Sequence, residues 1–322
     1  MLRVGVVGVG HLGRFHAEKY KTMTGVELTG VVDISHRRAD LVADRLGVPS
    51  FYQAEKLIGL VDAVSLAVPT QDHYVVARAF LAAGIHVLLE KPIGRTLEEA
   101  DALIDLARRN DLVLQVGHLE RFNPAMLAVA SLTAAPLFVE ANRISPYPER
   151  GTDVDVVLDL MIHDIDITLS LVGAEPAAIH AVGVPVLTTR VDIANARLEF
   201  ETGCVANLTA SRISVKSQRK IRIFQRDAYL SIDYGEHQVD VVRRTPPDES
   251  GLPGIRMERL AVPTIDALEA ELRSFVETVS NGGRPLVGGE EGRRALAVAL
   301  QISNKITARQ GDWFEVPARD SF

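Results

Sequence analysis

The sequence of 322 residues is poor in the features that define several protein classes. It contains one cysteine, Cys204, so it can form neither an internal disulfide nor a cysteine-rich zinc site. No two histidines are spaced H-x-x-x-H, a common ligand spacing on helices. We therefore expect no metal centre, and we expect Cys204 to be a small buried side chain.

Two further absences concern location and partners. No apolar run approaches the roughly 20 residues that span a bilayer, and the first residues carry no charged leader with a small-residue cleavage site. Acidic residues outnumber basic ones, 42 to 35, and no basic stripe is present. The sequence therefore predicts a cytoplasmic protein that binds neither nucleic acid nor membranes.

What is present is an ordinary globular composition, 47% hydrophobic and 24% charged, in a chain long enough for two domains. The first third alternates short apolar runs with helical patterns. We predict strands at residues 2–9, 26–32, 63–67, 86–90 and 112–116, and helices at residues 11–22, 35–46, 73–83 and 97–110. Strands that alternate with helices favour parallel pairing through right-handed crossovers.

After residue 116 the predicted strands mostly follow one another instead of alternating with helices. We predict strands at residues 138–144, 178–186, 193–201, 205–213, 219–225, 229–234, 239–243, 256–262 and 313–316, and helices at residues 156–171, 265–280 and 291–310. Alternating strands with tight connections predict an antiparallel sheet with one wetter face. The fold class is thus α/β: a Rossmann domain with a doubly wound parallel sheet at residues 1–118, then an α+β domain with a large, mostly antiparallel, open-faced sheet at residues 119–322.

A glycine-rich turn follows the first predicted strand. Gly8, Gly10 and Gly13 have G-x-G-x-x-G spacing and open the first predicted helix, as in dinucleotide-binding βα units. In such units the first glycine permits a tight turn, the second admits the pyrophosphate, and the third allows close packing of helix and strand. The alternative is a glycine-rich turn that binds no ligand.

Asp33 ends the second predicted strand about 20 residues after Gly13, where a carboxylate binds the adenosine ribose hydroxyls. The same carboxylate would repel a 2′-phosphate, so NAD is favoured over NADP. Arg37 and Arg38 follow closely, and either could instead pair with a 2′-phosphate or stack on the adenine.

Two groups of residues are candidates for proton chemistry. Glu90-Lys91-Pro92 directly follows a predicted strand, at the edge where parallel sheets bind ligands, and Pro92 could adopt the cis form. Asp159 and His163 are spaced i, i+4 on a predicted helix, so they share a face. The pair is either a buried structural hydrogen bond or a general base with its supporting carboxylate.

These three motifs, in this order, resemble the Gfo/Idh/MocA family of oxidoreductases over almost the whole chain. The resemblance implies that Lys91, Asp159 and His163 are catalytic, with His163 accepting the hydroxyl proton and Lys91 hydrogen-bonding the reacting oxygen. One of the two cations should then have a lowered pKa. The implied cofactor site comprises Gly8, Gly10, His11, Leu12, Gly13, Asp33, Arg37, Pro69, Thr70, His73, Glu90 and Lys91. His73 is interpreted as structural or close to the cofactor rather than catalytic.

Residues 153–158 replace the glycine-rich run that commonly precedes the aspartate, and residues 160–162 are larger than usual. With the segment GHLERFNP at residues 117–124, these departures resemble the branch of the family that oxidises C3 of UDP-N-acetylglucosamine. The predicted substrate-binding residues are Lys91, Glu120, Arg121, Asn123, Arg143, Tyr147, Arg150 and His163. Arginine suits a pyrophosphate, so Arg121, Arg143 or Arg150 could hold the UDP group; the alternative for each is an ordinary ion pair.

Two other functions stay open at this point: a dehydrogenase of a free sugar or cyclitol, and a dinucleotide-binding regulator without turnover. The trio of Lys91, Asp159 and His163 argues against the regulator. We also expect a homodimer or homotetramer through the C-terminal sheet, whose uncovered face would need a partner. The residues expected on that face are Ile193, Leu198, Phe200, Val205 and Leu208.

Overall fold

The fold is described from a computed structural model, which describes residues 1–147, 154–247 and 253–313. The side chains of residues 253 and 310–313 lie outside this description. The chain divides into two compact units. The first comprises Met1–Phe122 and Ile265–Leu296, and the second comprises Asn123–Thr264 and Ala297–Phe322. The predicted domain boundary after residue 118 stays a prediction.

The first unit contains a six-stranded sheet in the order β3-β2-β1-β4-β5-β6, in which every pair is parallel. Its strands are β1 (Leu2–Val7), β2 (Val26–Val32), β3 (Ser50–Phe51), β4 (Ala63–Leu66), β5 (His86–Glu90) and β6 (Leu114–Gly117). The helices of this unit's N-terminal segment are α1 (Gly13–Thr22), α2 (His36–Leu46), α3 (Thr70–Ala82) and α4 (Leu97–Arg109). The strand order reverses between β1 and β4, as in Rossmann folds, so the predicted fold class is confirmed for this unit.

Burial explains why these strands show little alternation in sequence. All four residues of β4 are buried, as are the central residues of β5. One core cluster joins Val4 and Val6 of β1 to Tyr20 of α1 and to Phe275 of α7 (Ala267–Asn281). A parallel sheet that is covered on both faces must be apolar on both faces.

The second unit contains an eight-stranded sheet in the order β14-β13-β12-β11-β7-β10-β9-β8. The pair β7–β10 is parallel and all other pairs are antiparallel. The strands are β7 (Phe138–Ile144), β8 (Pro176–Val184), β9 (Ile193–Phe200), β10 (Val205–Ser211), β11 (Gln218–Phe224), β12 (Ala228–Asp233), β13 (Gln238–Pro247) and β14 (Pro253–Leu260). The predicted large, mostly antiparallel sheet is therefore confirmed.

The prediction for the uncovered face of this sheet was wrong for three residues. Leu198, Phe200 and Leu208 are buried on the other face, while Ile193 and Val205 are partly exposed. Successive side chains of a strand point to opposite faces, so Ile193 cannot share a face with its even-numbered neighbours on β9.

The exposed face instead carries polar partners on neighbouring strands. Asn195 donates a hydrogen bond to Thr209 (2.9 Å), and Arg222 pairs with Glu140. Such cross-strand pairs stabilise a sheet without the burial of apolar area.

The helices after the first sheet also differ from the prediction. The helix expected at residues 156–171 begins as a π-helix at Val157–Met161 and continues as α6 (Ile162–Val172). A short helix, α5 (Pro124–Val129), precedes β7, and α8 spans Gly289–Trp313. Trp313, expected in a final strand, ends α8, and residues 314–316 lie outside the described residues. None of the helices described here is long and apolar enough to cross a membrane.

Candidate active site

The glycine-rich turn between β1 and α1 has the geometry that dinucleotide binding requires. Gly8 has a φ of +83°, a conformation that side chains rarely adopt, and its N–H donates to Val32 of β2 (2.8 Å). A Cβ atom at Gly13 would lie 1.8 Å from the carbonyl oxygen of Gly8, so α1 packs directly on the turn. A Cβ atom at Gly10 would meet no protein atom within 4 Å. Gly10 therefore leaves space beside the first turn of α1, where free N–H groups attract phosphate.

The residues that flank this space keep it open. His11 and Leu12 are exposed, and no acidic side chain occupies the first turn of α1. The turn, the helix N-terminus and the open position together fit a dinucleotide pyrophosphate.

Asp33 lies at the end of β2 and is 5% exposed. Its carboxylate accepts hydrogen bonds from the N–H groups of Val9 (3.2 Å) and Ser35 (2.8 Å). Arg38 pairs with it through Nε (3.2 Å) and Nη2 (3.0 Å). Arg37 and Arg38 are both exposed, and the hydrogen bonds to Asp33 come from Arg38. The structure thus places a carboxylate next to the glycine turn, as expected for a ribose-binding residue.

His73 connects the carboxyl ends of two strands. Pro69 is the N-cap of α3 and Thr70 is its first residue; His73 follows in the first turn. Its Nδ1 lies 2.7 Å from the carbonyl oxygen of Pro92 and its Nε2 lies 2.9 Å from that of Val68. Burial lowers the pKa of the imidazole, although both carbonyls and Glu90 act to raise it. The contacts to one carbonyl of each loop support the structural interpretation, with a neutral ring donating to only one of the two carbonyls.

The Glu-Lys-Pro tripeptide follows β5 at the same edge of the sheet. The Lys91–Pro92 peptide bond is cis, and Lys91 is half-buried. Glu90 ends β5, with its Oε1 3.2 Å from Nε2 of the buried His16. His16 in turn contacts the Ser65 hydroxyl through Nδ1 (2.7 Å). Lys91 therefore directly follows the end of strand β5. The preceding residue, Glu90, is held by His16 of α1, which in turn contacts Ser65 of β4.

The segment GHLERFNP forms tight local structure. Glu120 is buried and Arg121 is half-buried in the 3₁₀ turn Leu119–Phe122, which belongs to the first unit. Asn123, in the second unit, caps α5 by accepting a hydrogen bond from the N–H of Ala125 (3.0 Å). Buried Glu120 and Asn123 therefore shape this segment, whereas Arg121 retains some exposure.

In the second unit, Asp159 lies in the π-helix and His163 lies in the first turn of α6, and both are half-buried. Asp155 anchors the start of the π-helix, because its carboxylate accepts hydrogen bonds from the N–H groups of Val157 (3.0 Å) and Leu158 (2.9 Å). Ser303 of α8 donates to the same carboxylate (2.9 Å). A π-turn inside a helix frequently marks a functional site.

A buried ion pair stands beside His163. Asp164 accepts two hydrogen bonds from Arg143, at 3.0 Å from Nε and 2.9 Å from Nη2, and both side chains are about 5% exposed. This ion pair joins the start of α6 to β7. It occupies Nε and Nη2 of Arg143, the two nitrogens that could otherwise bind a pyrophosphate. Tyr147 is exposed, and Arg150 lies outside the described residues.

A second buried ion pair contacts the chain just before the π-helix. Arg212 and Asp192 are both fully buried and 2.9 Å apart, and Arg212 also donates to the carbonyl oxygen of Val154 (2.8 Å). Hydrogen bonds from the backbone of residues 186–188 hold the pKa of the Asp192 carboxyl below its usual range, against the effect of burial. The chain just before the π-helix is thus held by a fixed charge pair, which the sequence did not predict.

Cys204 is buried, and burial raises the pKa of its thiol to about 11, which disfavours a thiolate nucleophile at neutral pH. Within residues 1–147, 154–247 and 253–313, no cluster of three or more His, Cys, Asp or Glu side chains is arranged to hold a metal ion.

Comparison with known proteins agrees with the geometry. Residues 2–118 match the oxidoreductase family with an NAD-binding Rossmann fold (GFO_IDH_MocA), and residues 137–231 match the GFO/IDH/MocA C-terminal domain. A UDP-N-acetylglucosamine 3-dehydrogenase of Acidithiobacillus ferrooxidans is 42% identical over 95% of this chain and 98% of its own. The chain belongs to the Gfo/Idh/MocA family of oxidoreductases.

Further relatives place the chain among dehydrogenases. A solved structure of UDP-N-acetylglucosamine 3-dehydrogenase GnnA from A. ferrooxidans superposes with a TM-score of 0.91 over 95% of this chain and 98% of that one, at 42% identity. A myo-inositol 2-dehydrogenase of Thermotoga maritima is 28% identical over 96% of this chain and 97% of its own. The resemblance predicted from the motifs, the oxidoreductase class and the NAD-binding domain are therefore confirmed.

Proposed function

We propose that this protein oxidises the C3 hydroxyl group of UDP-N-acetylglucosamine, or a closely similar UDP-N-acetyl-hexosamine, with NAD. The observation that carries this proposal is the 42% identity to a protein named UDP-N-acetylglucosamine 3-dehydrogenase, over nearly the full length of both chains. The segments GHLERFNP and 153–158 point to the same branch of the family.

Bound NAD would accept a hydride from the substrate carbon. The side chains of the protein would accept the hydroxyl proton and stabilise the charges that form. We propose that His163 accepts the hydroxyl proton and that Asp159, one turn earlier, supports the resulting imidazolium. Lys91 would hydrogen-bond the reacting oxygen. The rigid attachment of Lys91 to β5, and of Asp159 to a capped π-helix, suits residues that must hold a fixed geometry.

The cofactor residues proposed are those around the turn: Gly8, Gly10, His11, Leu12, Gly13, Asp33, Arg37, Pro69, Thr70, His73, Glu90 and Lys91. Asp33 is the basis for preferring NAD, since a buried carboxylate would repel a 2′-phosphate. Arg38 weakens that repulsion because it already pairs with Asp33. A lower KM for NADP than for NAD would overturn the preference.

For the substrate, we retain Glu120, Arg121, Asn123, Arg143, Tyr147 and Arg150 as candidates beside Lys91 and His163. Because the fork of Arg143 is bound to Asp164, we assign the pyrophosphate to Arg121 and Arg150. Loss of a charged hydrogen bond costs about 1.5–3 kcal/mol, so Arg121→Gln and Arg150→Gln should each raise KM for the nucleotide sugar at least tenfold. The matched control is Arg109→Gln, at the exposed end of α4.

The first test is NADH formation by the purified protein with a panel of UDP-sugars, N-acetylglucosamine, free hexoses and inositols. Turnover confined to UDP-N-acetyl-hexosamines, with the keto product mapped to C3, is the expected result. Turnover on inositols alone would favour a cyclitol dehydrogenase, the second candidate, which the relative from T. maritima suggests. Unchanged KM values in both arginine variants would contradict the pyrophosphate assignment.

We further propose a cytoplasmic homodimer or homotetramer that associates through the exposed face of the second sheet. That face carries polar pairs bonded within one chain, such as Asn195–Thr209, beside the partly exposed apolar side chains of Ile193 and Val205, so the contact would be mixed in character. Sedimentation of the protein as a monomer at micromolar concentration would contradict the assembly.

A further inference from the structure

One buried side chain contacts two turns at the carboxyl edge of the first sheet. His73, in the first turn of α3, is 1% exposed. Its Nδ1 lies 2.7 Å from the carbonyl oxygen of Pro92, in the turn after β5, and its Nε2 lies 2.9 Å from the carbonyl oxygen of Val68, in the turn after β4. Because β4 and β5 are neighbours in the sheet, the two nitrogens face turns that leave adjacent strands.

Both partners of the imidazole are hydrogen-bond acceptors. A backbone carbonyl oxygen has no hydrogen of its own, so a hydrogen bond forms only where the ring nitrogen carries one. Burial has the largest effect on the pKa of His73 and lowers it, although the two carbonyls, Glu90 and Asp72 act to raise it. The ring is then neutral at neutral pH, has one N–H group, and donates to one of the two turns.

The surroundings of the two carbonyl groups decide which turn receives this donor. Pro92 is buried and has no backbone N–H, so its carbonyl oxygen is the hydrogen-bonding group of its main chain. Val68 is partly exposed, so water can reach its main chain. A buried acceptor without a donor costs more free energy than one that water reaches, and the contact to Pro92 is also the shorter one. The proton therefore belongs on Nδ1.

The bond to Pro92 fixes the main chain next to Lys91. Lys91 is half-buried and directly follows β5, whose last residue, Glu90, is in register with Gly117 of β6. The next residue is Pro92, held by His73. The main chain is thus fixed on both sides of Lys91, by the sheet before it and by a side chain of α3 after it.

We propose that His73 is a positioning residue for the oxidation proposed above: its Nδ1–H group donates to the carbonyl oxygen of Pro92 and so fixes the main chain that carries Lys91. The inference rests on the proposed function for the role of Lys91, whereas the position of the proton on His73 does not depend on that function. Misplacement of a catalytic group by about 1 Å can lower a rate by about 10²-fold, so the loss of this bond should be visible in kcat.

Two variants at this position retain one donor each. The amide nitrogen of asparagine lies close to the place of Nδ1 in histidine, and that of glutamine lies close to the place of Nε2. His73→Asn therefore keeps a donor for Pro92, and His73→Gln keeps a donor for Val68. Packing alone predicts that His73→Asn is the more damaging change, because asparagine is smaller and leaves the larger cavity. The matched control is Arg78→Gln, at an exposed position of the same helix.

The first test needs neither cofactor nor substrate. Nitrogen NMR of the full chain, labelled at its histidines, reports which ring nitrogen carries the hydrogen; the signal of His73 is assigned by its loss in His73→Gln. We expect a protonated Nδ1 at neutral pH. Hydrogen–deuterium exchange in the peptide that contains Lys91 should be about tenfold faster in His73→Gln than in His73→Asn, and unchanged in Arg78→Gln. An Nδ1 without a hydrogen, or exchange in His73→Asn that is as fast as in His73→Gln, would overturn the proposal.

Steady-state kinetics give the second measurement. We expect His73→Gln to lower kcat by about 10- to 10²-fold and His73→Asn to recover at least about tenfold of that loss, while the KM for NAD does not separate the two variants. If no sugar is turned over, the proposed function fails, and the nitrogen spectrum and the exchange rates still decide the role of His73 in holding the turn. If turnover occurs and both variants lose kcat equally, the positioning role fails and the proposed function stands.

Discussion

The glycine-rich turn allows stability and cofactor binding to be separated by two alanine substitutions, three residues apart. A Cβ atom at Gly13 would lie 1.8 Å from the carbonyl oxygen and 2.9 Å from the carbonyl carbon of Gly8. Both atoms are backbone, so α1 must move by more than 1 Å away from β1. Overpacking a core typically costs 1–3 kcal/mol, and a rigid neighbour places this case at the upper end, on the order of 3 kcal/mol.

Gly10→Ala should behave in the opposite way. No protein atom lies within 4 Å of the added methyl group, and Gly10 is not among the residues with positive φ. The free energy of unfolding of the protein alone should therefore stay within about 0.5 kcal/mol of the wild type, or rise slightly because the unfolded chain loses freedom. The methyl group would occupy the space into which the pyrophosphate fits, so Kd for NAD should rise at least tenfold.

Urea unfolding without cofactor and calorimetric titration with NAD measure the two quantities. We expect Gly13→Ala to lose stability and Gly10→Ala to lose affinity at full stability. If Gly10→Ala binds NAD as tightly as the wild type, the pyrophosphate does not approach that position. If both variants unfold alike, the packing argument for Gly13 is wrong.

Three other predictions concern titratable residues. His163→Asn should lower kcat by about 10²–10⁴-fold and leave Kd for NAD unchanged, because a general base contributes that factor; steady-state kinetics with the identified sugar and NAD titration decide it. Asp164→Asn should lower the free energy of unfolding, measured in urea, by about 3–5 kcal/mol, because it removes the negative charge that balances the buried guanidinium of Arg143. The double variant Arg143→Met with Asp164→Leu should recover most of this loss. Because the pKa of Glu271 is raised in the folded protein, its contribution to stability is fully present below its ordinary pKa of 4.5 and is lost as pH rises toward the folded value. The stability of Glu271→Gln relative to the wild type should therefore grow by up to about 1 kcal/mol per pH unit above pH 5; a difference independent of pH would mean that Glu271 is ionised in the folded protein.

The strands and helices of the Rossmann domain could be predicted from the sequence, because their apolar runs and turn residues match the burial that the fold imposes on them. The strand at Val26–Val32 and the strand at His86–Glu90 were predicted at their observed bounds, since each apolar run is limited by turn residues. The exposed face of the second sheet could not be predicted as well. Ile193 and Leu198 are five positions apart on one strand, so alternation alone places them on opposite faces, but their shared apolar character does not show which face is covered.

The site shows a similar division. The spacing of Asp159 and His163 indicated one regular helix, but periodicity cannot reveal a π-turn or the hydrogen bond between Asp155, at its start, and the distant Ser303. Glu271 had a signal that was missed: it lies within the apolar stripe formed by Leu272, Phe275 and Val276 on α7. An acid in such a stripe is either paired or neutral, and one sequence does not show which of the two holds.

The π-helix at Val157–Met161 has a consequence for how this region tolerates changes in length. A π-turn is an α-helix that has accommodated one additional residue, so the turn that holds Asp159 can be regarded as an insertion. Deleting one residue before Asp159 would allow regular helical bonding to resume and would rotate the preceding positions by about 100° relative to His163. Single-residue deletions here should therefore abolish activity in a protein that remains folded, while substitutions at the same positions preserve the geometry of the turn.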